Sequence, residues 1–272
     1  MPKITIGQYY PTNSFIHKMD SRMKLACTMI FIVVVFFITN FLGYALAAGY
    51  LFLIVRTSKV PPRFLLRGLR AIFFIIIFTA ILNIFFTAGP TTLVQIGNVR
   101  ISAEGLINAV RMAFRLVMLV IGSSILTLTT TPTQLTDAIE FYLKPFKKIG
   151  LPAHEIAMMM TIALRMIPAL MEEMDKIMKA QMARGADFDT GGIIKKAKSL
   201  VPLLVPLFIS SFRRAEELAL AMESRCYRGD IGRTRMKIMR LARRDYFSFG
   251  FVAVFVGMIF VLNYVAGILG VW

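Results

Sequence analysis

Two arginines close two similar runs of this 272-residue sequence. The first run ends Ala183-Arg184-Gly185, and the second ends Ser224-Arg225-Cys226, followed by Tyr227 and Arg228. A guanidinium flanked by small residues can enter a narrow groove and present its fork of donors to backbone carbonyls or a carboxylate. Its charge persists on desolvation, which suits contact with another protein. The same residues also suit an ordinary helix end, because arginine complements the negative end of the dipole and glycine fits the C′ position. The second copy departs from the first. Cys226 stands where the first has Gly185, and Gly229 comes later.

Both motifs need a helix upstream, and the spacing of apolar residues supplies one for each. Ile156, Met160, Ala163, Ile167, Leu170, Met174 and Ile177 advance in steps of three and four, which keeps one stripe on one helix face. Glu155, Glu172, Glu173, Asp175, Lys176 and Lys179 fall off that stripe. Ala197, Leu200, Leu204, Phe208, Ser211, Ala215, Leu218 and Met222 form a second stripe. At 1.5 Å per residue each helix spans roughly 50 Å. Pro168, Pro202 and Pro206 lie inside these helices and predict local kinks. Methionine is dense in the first, from Met158, Met159 and Met160 to Met182. Thioether side chains fill cores, and they also make pliable surfaces that accept different partners.

Other reactive residue types offer little. No Gly-Lys dipeptide exists, so there is no phosphate-binding loop of the G-x-x-x-x-G-K-[ST] type. His154-Glu155 lacks the second histidine of a zinc-protease helix and reads as a helix-start surface pair. His17 is a lone polar residue near a membrane boundary. Glu172, Glu173, Glu216 and Glu217 read as a solvated or interhelical salt-bridge face, since sequence neighbours on a helix do not face each other. Cys27 and Cys226 imply neither a disulfide framework nor a zinc site. No catalytic, cofactor-binding or metal-ligating residue is expected.

With 57% hydrophobic and 17% charged residues and a mean hydropathy of +0.68, the chain reads as a membrane protein. The net charge of +17 sits beside the apolar spans. Anionic lipid and the positive-inside rule account for it, and nucleic acid is not expected as a partner. Lys18, Arg22 and Lys24 predict a cytoplasmic N-terminus. Leu25 to Thr39 and Tyr44 to Val55 read either as two short tilted helices joined at Asn40–Gly43 or as one long helix followed by a broken one. Residues 56–70 read as a basic cytoplasmic loop broken by Pro61-Pro62, and Ala71 to Ala88 as a span. Residues 91–103 predict a β-hairpin turning at Gly97-Asn98 on the outer side. Leu106 to Leu128 is a span carrying Arg111 and Arg115 one turn apart, read as snorkelling to the outer headgroups. Thr133 or Thr136 is expected to cap an amphipathic segment, Gln134 to Lys148. Ile231 to Arg244 reads as a basic juxtamembrane anchor, and Tyr246 to Val271 as a final span with Trp272 outside. The expected fold is all-α: a polytopic membrane helix bundle with a cytoplasmic coupling module of long amphipathic helices. The expected domains are an N-terminal transmembrane region (1–128), the coupling helices with the basic segment (129–245) and a C-terminal transmembrane helix (246–272).

The run Ile162-Ala163-Leu164-Arg165-Met166-Ile167-Pro168, then Glu172-Glu173 and Ala180-Gln181-Met182-Ala183-Arg184-Gly185, resembles the transmembrane T component (EcfT) of energy-coupling factor transporters. The resemblance extends across nearly the whole chain. It implies a non-catalytic subunit of an ATP-driven importer in the plasma membrane. Two ABC-type ATPase subunits would bind ATP and dock on Ala183, Arg184 and Gly185 and on Ser224, Arg225, Cys226, Tyr227 and Arg228. A membrane-embedded S component that binds vitamins or other micronutrients would contact Met159, Met160, Ala163, Ile167, Leu170, Met174, Leu204 and Phe208. The segment from Gln134 would be the first coupling helix. The competing classes are an intramembrane enzyme, which needs buried acids or nucleophiles that the spans lack, and a self-contained channel or secondary carrier, for which Arg111 and Arg115 are the sole midspan charges.

Overall fold

The computed structural model describes residues 9–87, 92–96, 99–186, 188, 192–229 and 241–269. Its elements are α1 (Ser21–Phe36), α2 (Phe41–Ser58), α3 (Pro62–Phe86), β1 (Thr92–Ile96), β2 (Val99–Ser102), α4 (Ala103–Thr129), α5 (Pro132–Leu143), a 3₁₀ turn (Lys144–Ile149), α6 (Ala153–Ala183), α7 (Ile193–Glu223) and α8 (Arg243–Leu269). They divide into two compact units, Met1–Ala138 with Ile238–Trp272, and Ile139–Lys237. The protein is a polytopic helical bundle. Among the described residues five helices are long and apolar enough to cross a membrane: α2, α3, α4, α6 and α8.

That set differs from the sequence expectation in two helices. At 16 residues α1 is too short to span alone. By length and composition α6 qualifies, because Arg165 is the one charge between Ile156 and Met171. The expected basic loop at 56–70 is also mostly helical. Arg56 lies in the last turn of α2, and Arg63, Arg67 and Arg70 lie in the opening turns of α3. Pro62 occupies the first helical position, where its missing N–H is no loss, so the proline pair starts a helix where a loop was expected. The hairpin is present. Its strands are antiparallel, with Ile96 opposite Val99, while Gly97-Asn98 lies outside the described residues. So do most of the basic stretch from Ile231 and the chain end at Trp272.

In the first unit the interrupted helix at 37–40 sets the architecture. The reading of two short helices holds, and the break precedes Asn40, leaving Gly43 inside α2. Non-helical backbone at this depth needs partners of its own. Asn263 of α8 donates its amide to the Phe37 carbonyl at 2.7 Å. Arg115 of α4 donates to the Ile38 carbonyl at 3.2 Å, and its guanidinium lies 5.7 Å from the Phe36 ring centroid. Arg115 therefore serves the unwound segment, which replaces the snorkelling reading.

The opposite end of the bundle is tied by buried polar groups. Asp20 caps α1, accepting from the Arg22 N–H at 2.9 Å. Asp245 is 2% exposed and accepts from the Asp20 N–H at 2.9 Å and the Ala242 N–H at 2.7 Å. Lys24 donates to the Thr129 carbonyl at 2.9 Å and the His17 carbonyl at 3.3 Å. His17 is a hub, not a lone group: its ring bonds the Tyr10 carbonyl at 2.9 Å and the Ser14 hydroxyl at 2.7 Å. Between the two ends Tyr50 stacks on Phe31 and Phe255, with centroids 5.5 and 4.2 Å away. Gly122 makes this fit possible, since a Cβ there would lie 2.8 Å from the Phe31 ring.

Candidate functional site

In the second unit, α6 and α7 are antiparallel. Gln181 donates to the Pro202 carbonyl, Glu173 accepts from Ser210 and Arg214, and Tyr227 reaches Met158. As the number rises along α6 it falls along α7. The Arg184 end of α6 therefore lies near Pro202, whereas the Arg225 end of α7 lies near the start of α6. The intervening length of α7 holds the two arginines roughly 35 Å apart at 1.5 Å per residue. Glu173 is thus the interhelical glutamate of the expected acidic face. His154 also departs from a surface pair, with its ring 3.2 Å from the Glu140 carboxylate of α5.

The two arginine ends share one backbone geometry. At the first, the Gly185 N–H donates to the Met182 carbonyl and the Ala186 N–H to the Gln181 carbonyl. At the second, the Cys226 N–H donates to the Glu223 carbonyl and the Tyr227 N–H to the Met222 carbonyl. This paired pattern is the Schellman motif, and it makes Arg184 and Arg225 the C-cap residue of their helices. The motif needs a left-handed residue at C′. Gly185 has φ +87° and Cys226 φ +54°. The apparent mismatch between glycine and cysteine is therefore a match in conformation. Ala183, Arg184, Gly185, Ser224, Arg225, Cys226 and Arg228 are all exposed. Both cations sit where the last helical carbonyls concentrate negative potential, a favourable place for a positive charge.

Tyr227 behaves differently from its neighbours. It is partly buried, and its hydroxyl donates to the Met158 sulfur at 3.0 Å. It braces the second end against α6. The sequence grouped it with the exposed docking residues because nothing local marks a contact across 69 positions.

The residues expected to meet an S component are spread along α6 and α7. Met159, Met160, Ala163, Ile167, Leu204 and Phe208 are exposed, while Leu170 and Met174 are intermediate. On α7 the open apolar surface continues through Val201, Val205, Ile209 and Phe212, and Leu203 is its one fully buried side chain among those described. Most of the described positions of the stripe read from spacing are thus exposed, and the seam with α6 includes Pro202, Ser210 and Arg214. The amphipathic segment before α6 is α5 followed by the 3₁₀ turn, and its cap is Thr131. The Thr131 hydroxyl accepts from the Gln134 N–H while the Gln134 side chain accepts from the Thr131 N–H, a capping box that starts ahead of the expected Thr133 and Thr136.

Residues 12–238 match the family of the cobalt transport protein CbiQ. The chain belongs to the CbiQ/EcfT family. It is 56% identical to the energy-coupling factor transporter transmembrane protein EcfT of Clostridium kluyveri, over 90% of this chain and 91% of that one. It is 54% identical to the EcfT of Thermosediminibacter oceani, over 92% and 94%. With the EcfT of Ruminiclostridium cellulolyticum it shares 52% identity over 96% and 98%. Family membership and the long apolar helices make it a multi-pass membrane component of a transporter.

Proposed function

We propose that this chain is the coupling subunit of an energy-coupling factor importer for vitamins or other micronutrients. Two ABC-type ATPase subunits bind ATP, and each receives one arginine end in a groove: Ala183-Arg184-Gly185 in one, Ser224-Arg225-Cys226 with Arg228 in the other. The N-terminus and the coupling helices face the cytoplasm. A membrane-embedded S component, which carries the substrate, rests on the apolar surface around Met159, Met160, Ala163, Ile167, Leu170, Met174, Leu204 and Phe208. The subunit has no catalytic role and binds no cofactor or metal itself. ATP-driven approach of the two ATPases moves the two helix ends, and α6 and α7 transmit that displacement to the S component.

The observation that carries this reading is the shared C-cap geometry of Arg184 and Arg225 at opposite ends of one antiparallel pair. Two equivalent ends facing apart suit two similar receptors. The carrier reading loses support for a separate reason: Arg115 is committed to the Ile38 carbonyl. Co-purification of the full chain from its native membrane tests the proposal. The expected result is two P-loop ATPase subunits per chain. Solute uptake by this chain alone in liposomes would overturn it.

A further inference from the structure

The unit formed by Met1–Ala138 and Ile238–Trp272 encloses a cavity of about 380 Å³ with no part in the coupling account. Its walls include Phe31, Tyr50, Ile54 and Leu126, and among the described residues lining it Lys24 is the one basic side chain and none is acidic. The Lys24 ammonium is already held by the Thr129 and His17 carbonyls, so the interior suits hydrocarbon, not an anion. Leu53, Phe247 and Phe251 also line the cavity and are 47%, 77% and 44% exposed. Leu53 belongs to α2 and the two phenylalanines to α8, both helices long and apolar enough to cross a membrane, so the opening between them faces lipid.

Two basic residues lie within one turn, along the chain, of residues that line the cavity. Phe247, Ser248 and Phe251 follow Arg244 at i+3, i+4 and i+7, so Arg244 shares their helix face and lies one turn nearer the polar end. Exposed Lys18 lies three residues after Phe15, another exposed wall residue. The volume is near the low end of ligand sites, which span about 300–1,000 Å³. A helix about 10 Å across with its side chains is too wide for it. We propose that this cavity binds one acyl chain of an anionic phospholipid, with the phosphate held at the rim by Arg244 and Lys18.

Native mass spectrometry of the full chain, released from nanodiscs containing equal phosphatidylglycerol and phosphatidylcholine, tests this. One phosphatidylglycerol should persist per chain. Each basic residue near a membrane surface is worth about a fivefold preference, so Lys18→Gln with Arg244→Gln should cut the selectivity over phosphatidylcholine at least about fivefold while a lipid still binds. Ile54→Trp fills the cavity and should remove the retained lipid. Leu126→Phe is a milder filler in case the tryptophan prevents folding, and it should lower retention severalfold. Equal retention by the folded filled variants would overturn the proposal. So would wild-type retention without headgroup preference, or a bound apolar peptide in place of lipid.

Discussion

The two arginine ends have the same hydrogen-bonded frame and different supports. The first closes on Gly185, which takes its left-handed conformation without steric penalty. It presents Arg184 next to small alanines. The second places Cys226 in that conformation, where a Cβ crowds the carbonyl, and offsets the strain with a brace, the Tyr227 hydroxyl on Met158. One end is relaxed and held by its own cap. The other is strained and held by a neighbour. The comparison teaches that one C-cap geometry can be held either by local chemistry or by a tertiary contact.

Removing both cations is the harshest way to break that comparison. Arg184→Ala with Arg225→Ala should lower substrate uptake in reconstituted complexes more than tenfold, since each lost buried charged contact costs about 2–5 kcal/mol. Unchanged uptake would refute the equivalence of the two ends.

Breaking the relaxed end is the next largest effect. Gly185→Val forces a β-branched residue into the left-handed region at a cost of about 1–2 kcal/mol. Hydrogen exchange at positions 185 and 186 should accelerate about tenfold, with the second end unaffected. Cys226→Gly sharpens the comparison from the other side. It should relieve strain and stabilise the second end by about 0.4–1 kcal/mol, read as slower exchange at Cys226 and Tyr227 positions. Faster exchange there would mean that the cysteine is favoured where it stands. The smallest effect is expected for Tyr227→Phe, which removes the hydroxyl–sulfur bond and leaves the ring. A loss of about 0.5 kcal/mol in thermal unfolding is expected. The same change should matter less once Cys226→Gly has removed the strain that the brace offsets.

What could be read from the sequence follows from range along the chain. The periods of α6 and α7 and the hairpin around Ile96 and Val99 are local patterns, and they appear where expected. So do the arginine ends, because each motif terminates its own stripe. The equivalence of Gly185 and Cys226 was hidden, since cysteine gives no left-handed signal and the carbonyl pairing shows only in three dimensions. The break at 37–40 carries no glycine or proline before Asn40. Its stability comes from Asn263 and Arg115, which lie far away in sequence. For the same reason Arg115 looked like a snorkelling cation and His17 like a lone residue. Periodicity marked the apolar stripe of α7 without saying what covers it, and only the family resemblance implied that Leu204 and Phe208 stay open.

Counting ATPase subunits on single variants tests the central claim most directly. The full chain, Arg184→Ala, Arg225→Ala and the double variant would each be purified with the ATPases and weighed intact. The expected outcome is two ATPase subunits on the full chain, about one on either single variant and none on the double. Two subunits retained by both single variants would contradict the assignment of one arginine to each ATPase.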